Sequence, residues 1–371
     1  LLGLVGSASN VKYYAQIVRK KELLRKLIEA TTHIGEIAYE ETDTLESVLE
    51  EAEKSIYAIT TKGGSSDRLI GFNELIDETW TRIEKMSERD GGMRGTPSGF
   101  KDLDHKLSGF QPSDLIILAA RPSVGKTSLA LDFARNAAVK HGIPVAIFSL
   151  EMSKEQLVDR MLSAQSQVDS WKLRTAKLSL DEEFQRLQQG MHELMKAPIY
   201  VDDKAANTIL NMRSTLRRLN TDKPIGLVIV DYLQLMGTSK SYDSMVNQVT
   251  EISRSLKGLA KEFNTPVIAL SQLSRAVEAR GGKPRLSDLR DSGSIEQDAD
   301  VVMFIHREDK YGTEGTERKN IVEVLIEKHR NGPTGMVELY FDDKKTSFLS
   351  IEKSEFGDFS LPNVNVNVPE F

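Results

Sequence analysis

The chain has 371 residues, of which 39% are hydrophobic and 28% charged; its formal net charge is −6 and it contains no cysteine. This is the profile of a soluble globular protein of about two or three domains, not of a polycation that grips nucleic acid by bulk attraction. Disulfides and cysteine-ligated zinc are excluded, a reducing cytosol is compatible, and the longest apolar runs are far too short to cross a bilayer.

The apolar start at residues 1–5 has neither a basic leader nor an initiating Met, which reads as a truncated or cleaved parent and not as a signal peptide. Residues 10–60 predict an α-helical hairpin. Val11, Tyr14, Ile17, Val18, Leu24, Leu27 and Ile28 form one apolar stripe, and Leu45, Val48, Leu49, Ala52, Ile56 and Ile59 form the second. Asp43 with Glu46 three positions on is a candidate cap for that second helix. Residues 61–67 read T-K-G-G-S-S-D, a flexible linker by composition, and Gly91-Gly92 is a further break. Between them Leu69, Phe72, Leu75, Ile76, Trp80, Ile83 and Met86 predict a short amphipathic helix. Such a helix is marginal alone and must bury its stripe, on its own chain or on a neighbouring subunit.

From Thr96 the pattern alternates. Short apolar runs at 115–120, 145–150, 199–201, 227–230, 267–270 and 301–305 predict strands, and amphipathic stretches at 127–140, 153–165, 207–219 and 246–263 predict helices between them. The fold class that follows is α/β, a mainly parallel sheet with helices on both faces. The runs at 321–328, 336–341 and 347–351 predict an antiparallel extension, and the tail from Phe356 to Phe371 reads as mobile. The resulting domains are the helical hairpin at 1–60, a linker with its docking helix at 61–94, the α/β domain at 95–355 and the tail at 356–371.

The strongest local signal is A-R-P-S-V-G-K-T at 120–127, which follows a predicted strand and opens a predicted helix, as a phosphate-binding P-loop does. Backbone N–H groups around Ser123 and Gly125 can cradle phosphates, and Ser128 belongs to the same nucleotide-binding set. Lys126 can reach the terminal phosphates, and the Thr127 hydroxyl can hold magnesium. Asp231, directly after the apolar run at 227–230, is the second carboxylate such a metal needs. Glu151 and Gln272 each follow a predicted strand. A parallel sheet gathers its strand ends along one edge, which places Glu151 to activate a water and Gln272 to sense the γ-phosphate. Glu151 also has a plain alternative as an acid at a helix start, beside a Ser153–Gln156 capping box.

Two basic features remain. Residues 274–290 carry Arg275, Arg280, Lys283, Arg285 and Arg290 against Glu278 and Asp288, with Gly281-Gly282 at the tip. The segment suits contact with a nucleic-acid backbone, or a plain solvated loop. The turn K-H-R-N-G-P-T-G at 328–335 could present Arg330 to a neighbour's nucleotide as an arginine finger.

The runs A-R-P-S-V-G-K-T, F-S-L-E-M-S, V-D-Y-L-Q-L, A-L-S-Q-L-S-R, R-D-S-G-S-I-E-Q-D-A-D and K-H-R-N-G-P-T-G, in this order, strongly resemble the bacterial replicative DNA helicases of the DnaB family, over about residues 10 to 350. Ala120, where the general P-loop has Gly, is usual in that family. The resemblance implies a RecA-like P-loop core and an ATP- and Mg2+-dependent cytoplasmic helicase. It implies a homohexamer with ATP at subunit boundaries, moving 5′ to 3′ on single-stranded DNA, with a primase and a helicase loader as partners and no membrane. It gives catalytic roles to Lys126, Glu151, Gln272 and Arg330, nucleotide contacts to Arg160, Lys328 and Arg330, metal contacts to Thr127 and Asp231, and DNA contacts to Arg290, Asp291 and Gly293. The Asp at 291 departs from the Glu often found there. It also makes residues 69–89 a linker helix that docks on the next subunit, and residues 10–60 the end of a longer N-terminal domain. A RecA-like filament or clock-type ATPase and a non-hydrolysing scaffold are the alternatives. The tethered helix and the 328–335 turn argue against the first, Glu151 with Asp231 against the second.

Overall fold

The computed structural model describes residues 11–40, 47–48, 51–52, 55–56, 59, 71–87, 93–179, 181–205, 207–237, 245–274, 277, 280, 282–289, 293–310, 319–353 and 359–360. The chain divides into two compact units, residues 1–85 and 86–371.

In the first unit, α1 runs over Val11–Glu40. It is longer than the apolar stripe that predicted it, which ends at Ile28. The Thr31 and Thr32 hydroxyls fold back onto the carbonyls of Leu27 and Ile28, so their hydrogen bonds are met within the helix. Of the second predicted helix only parts of residues 47–59 are described, in helical conformation; the Asp43–Glu46 cap and the 61–67 linker lie outside the described residues. α2 (Phe72–Ser87) forms where its periodicity predicts. Its apolar positions Phe72, Ile76, Trp80 and Ile83 are at least half open to solvent or nearly so, Trp80 at 62%.

The second unit is built on a nine-stranded sheet in the order β3-β2-β4-β5-β1-β6-β7-β8-β9. The strands are β1 (Leu115–Ala120), β2 (Val145–Ser149), β3 (Ile199–Asp202), β4 (Leu227–Asp231), β5 (Val267–Gln272), β6 (Val301–His306), β7 (Ile321–His329), β8 (Gly335–Asp342) and β9 (Ser347–Ser350). β1 to β6 pair in parallel, and β7 to β9 continue as an antiparallel extension. β1 is buried along its whole length, because helices cover both faces. Side chains alternate across it. Ile116, Leu118 and Ala120 join the core under α4 (Lys126–Arg135) and α5 (Lys154–Ser166); Leu115, Ile117 and Ala119 join the core under α8 (Ile209–Asp222) and α9 (Met245–Phe263).

Helices at α3 (Lys101–Leu107), α6 (Ser170–Thr175) and α7 (Glu182–Lys196) extend the sequence reading. The first two are too short to show a period. The third was legible: Phe184, Leu187, Met191 and Leu194 recur at helical spacing. The predicted 127–140 helix ends at Arg135 and passes into a π-helical turn at Asn136–Lys140. α10 (Gly293–Asp298) leads into β6. Within the tail expected to be mobile, β11 (Phe359–Ser360) pairs antiparallel with β10 (Glu352–Lys353), and the remainder lies outside the described residues.

Candidate active site

The C-terminal ends of β1, β2, β4 and β5 come together along one edge of the sheet. Between β1 and α4 the chain makes a tight loop in which Ser123 and Gly125 both have positive φ, 64° and 109°. Gly125 is required twice over. A left-handed backbone favours glycine, and an added Cβ would sit 3.0 Å from Phe348 Cζ. Phe348 is held there by α4 itself, since buried Asp132 accepts the Phe348 N–H and the Ser347 hydroxyl and pairs with Arg135.

Above the loop is a cavity of about 430 Å³ whose lining includes Ser123, Gly125, Lys126, Thr127, Ser128, Glu151, Arg160 and Gln272, the residues predicted for it. Asp231 stands behind them, 2% exposed. The Thr127 hydroxyl donates to Asp231 Oδ2 at 2.8 Å, and the Lys126 ammonium lies 3.7 Å from Asp231 Oδ1 and 4.4 Å from the centre of the Tyr232 ring. Asp231 Oδ1 is buried without a hydrogen-bond partner. Burial lowers the Lys126 ammonium below the usual lysine range, while Asp231 and Glu151 pull it back up. Burial likewise lowers Arg160, against the same two carboxylates.

Glu151 is aimed by its neighbours. The Leu150 N–H donates to the Asp231 carbonyl at 2.7 Å, which ties the end of β2 to the end of β4. The Ser149 hydroxyl donates to the Met152 carbonyl at 2.7 Å and closes a turn around Glu151. The expected Ser153–Gln156 capping box is present and begins α5 beyond Glu151. Glu151 therefore lies outside the helix, exposed at the cavity rather than spent on a helix start.

Lys328 and Arg330 are not brought to this cavity. β7 runs antiparallel to β6, so its end meets the start of β6, with Val301 opposite His329. The Arg330 N–H donates to the Asp300 carbonyl, and the Asp300 N–H to the Leu115 carbonyl. Both cations thus sit at the opposite edge of the sheet from the loop after Ala120, a β1 length of about 17 Å at the rise of a parallel strand. The predicted DNA positions Arg290 and Asp291 lie outside the described residues, and Gly293 opens α10.

Residues 95–350 match the family model described as the DnaB-like helicase C terminal domain. The chain is 45% identical over 364 residues to the replicative DNA helicase DnaB of Geobacillus stearothermophilus, covering 98% of this chain and 79% of that protein. It is 45% identical over 360 residues to the replicative DNA helicase DnaC of Bacillus subtilis (strain 168), covering 96% and 78%. The chain belongs to the DnaB family of replicative DNA helicases. Among solved structures it is similar to an isolated ATPase domain, with a TM-score of 0.72, 38% identity, and coverage of 77% of this chain and 100% of that one. It is also similar to a DnaB-like replicative helicase described with its interactions with primase, with a TM-score of 0.76, 35% identity, and coverage of 94% and 81%. The chain is accordingly an ATP-dependent DNA helicase with a RecA-like core.

The helicase cavity has walls that sequence reading passed over. Phe341 and Thr346 line it from β8 and the turn after it, and Phe348 backs the loop. Their positions about two hundred residues downstream carry no local signal for phosphate binding. Arg121 is also new: it is buried, and its guanidinium donates to the Leu273 carbonyl at 2.7 Å, joining the P-loop to the chain just beyond Gln272. Of the basic loop, Arg280 spends its fork on Asp288, with both contacts at 2.7 Å, and Lys283 pairs with Glu323. Arg275 lies outside the described residues.

Proposed function

We propose that the chain acts as one subunit of a homohexameric ring that moves 5′ to 3′ on single-stranded DNA, with each ATP held between two subunits. The observation that carries the shared site is the placement of Lys328 and Arg330 at the far edge of the sheet. Neither can reach its own cavity, and the Arg330 side chain is 62% exposed there, open to a neighbour's nucleotide. The open apolar stripe of α2, led by Phe72 and Trp80, supports its docking on the next subunit.

Thr127 and Asp231 fit a divalent cation. They offer hard oxygens side by side, and Asp231 Oδ1 is buried without a hydrogen bond, facing only the Lys126 ammonium at 3.7 Å. Magnesium held by Thr127 and Asp231 would neutralise negative charge developing during phosphoryl transfer. Lys126, the backbone N–H groups at Ser123 and Gly125, and Ser128 hold the phosphates. Arg160 contacts the nucleotide from the α5 side. Glu151 orients the attacking water and accepts its proton. Gln272 reads the γ-phosphate and passes its state to the chain after β5. Lys328 and Arg330 complete the neighbour's site, and Arg290, Asp291 and Gly293 meet the DNA backbone. Partners of the ring are a primase and a helicase loader, and the setting is the bacterial cytoplasm, where the chromosome is replicated.

The decisive experiment is displacement of a labelled strand from forked duplexes by the assembled protein with ATP and magnesium. Displacement is expected from forks that offer a 5′ single-stranded arm. Displacement driven by a 3′ arm alone reverses the direction, and none from any fork by a hexameric sample overturns the reading.

A further inference from the structure

Lys328 and Arg330 leave the same strand end but occupy unlike environments. Arg330 has its side chain 62% exposed, with one contact to Asp300 Oδ1 at 3.3 Å. Lys328 is partly buried, and its ammonium donates to the carbonyls of Glu296 and Ala299, both at 2.6 Å, and more weakly to Gln297 at 3.5 Å. Glu296 and Gln297 lie in the last turn of α10, and Ala299 follows it directly. The last carbonyls of a helix have no partner within it, and a cation placed among them also meets the negative end of the helix dipole. A register shift in the β6–β7 ladder explains how the side chain gets there. Val302 opposes Lys328 but Met303 opposes Ile326, so Glu327 is the extra residue of a bulge that re-aims Lys328 toward α10.

α10 begins at Gly293, in direct continuation of Arg290 and Asp291. We propose that Lys328 couples the neighbour's nucleotide to the DNA-contacting segment of its own chain, by holding the end of α10 until a triphosphate draws its ammonium away. This rests on the shared-site reading above. An ammonium has three N–H donors, and here all three are directed at carbonyls. Lys328 cannot bind a phosphate oxygen fully without giving up part of its grip on α10. Arg330, with five donors and one long contact, meets a phosphate at no such cost to the fold. Release of Lys328 does not free α10 altogether. Ser294 stays hydrogen-bonded to Thr250 at 2.7 Å, and Asp298 accepts from the Ser253 hydroxyl at 2.6 Å, so α10 loosens at its end while keeping its seat on α9.

The test is amide hydrogen exchange across residues 293–300 of the assembled protein, with and without adenylyl imidodiphosphate and magnesium. In the unaltered protein the analogue is expected to speed exchange there several-fold. In Lys328→Met exchange is fast in both states, and the affinity for single-stranded DNA no longer responds to the analogue. Arg330→Ala keeps the response, and Lys328→Arg restores part of it. Exchange in the unaltered protein that ignores the analogue overturns the coupling, as does a Lys328→Met protein that responds normally. The shared site itself is judged separately, by whether mixing Arg330→Ala with Glu151→Gln subunits recovers ATP turnover. Recovery together with an unresponsive 293–300 segment sinks only the role given to Lys328.

Discussion

The Thr127 hydroxyl and Asp231 Oδ2 meet at 2.8 Å across 104 positions of chain. Strand order alone brings them together. β1 and β4 both pair with β5, so the loop after β1 and the carboxylate ending β4 flank the end of the strand that carries Gln272. Asp231 Oδ1 is buried beside them without a hydrogen bond, 3.7 Å from the Lys126 ammonium.

Thr127→Val removes the donor to Asp231 and the oxygen proposed to hold magnesium, while nearly keeping the volume. A loss of magnesium affinity of at least about 10-fold is expected, read as a rightward shift of the magnesium dependence of ATP turnover. Thr127→Ser should stay near the unaltered protein. An unmoved magnesium midpoint in Thr127→Val would remove Thr127 from the metal site.

Gly125→Ala places a Cβ against Phe348 on a backbone with φ of 109°. The left-handed backbone alone costs about 1–2 kcal/mol, so a lower Tm and weaker ATP binding are expected together. Adding Phe348→Ala relieves the collision but not the backbone strain, and should recover only part of the binding. Calorimetric titration with ATP and thermal melts of the single and double variants separate the two effects. Full recovery in the double variant would mean that the backbone costs nothing.

Arg330→Ala should bind ATP nearly as well as the unaltered chain, because the P-loop, Lys126, Thr127 and Arg160 that line each cavity come from the subunit's own chain. Turnover should fall by about 10³-fold or more, the scale of a lost arginine finger. Mixed rings with Glu151→Gln subunits place an intact Arg330 beside an intact Glu151 at some boundaries, so partial turnover returns. No recovery at any mixing ratio counts against action between subunits.

Asp114 gives a pH signature. Burial, and then the charge of Asp300, raise its carboxyl from 3.8 to about 6, against the pull of Lys257, His329 and Arg94. Because the folded value lies above the unfolded one, the folded state holds this proton more tightly. The associated stability is present at low pH and is lost as pH rises through about 4 to 6. Asp114→Asn removes that dependence. The Tm of the variant minus that of the unaltered protein should therefore increase between pH 4 and pH 6 and level off above. A flat difference would show that Asp114 titrates normally.

The P-loop and Asp231 were legible because their chemistry is local: an apolar strand, a turn of small residues, then a helix or a carboxylate. Glu151 and Gln272 needed one further step, that parallel strands gather their ends at one edge. The periods of α2, α5, α8 and α9 could be counted along the chain. α3 and α6 could not, since a helix of one or two turns shows no repeat. The aromatic wall of Phe341 and Phe348 was illegible for another reason. Strands β8 and β9 look alike whether they flank a ligand or solvent, and the carboxylate that fixes them is Asp132, a residue of the P-loop helix.

By itself the sequence determined that a phosphate-binding loop, a second carboxylate and a candidate base lie at the ends of parallel strands, and its motif order determined the family. Only the tertiary structure decided that Lys328 and Arg330 stand apart from that centre and differ from each other. Their distance from it depends on the reversed direction of β7 against β6, and the hold of Lys328 on α10 depends on a bulge at Glu327. Both are pairings between residues far apart in the chain, where hydrogen-bond register outranks any local pattern.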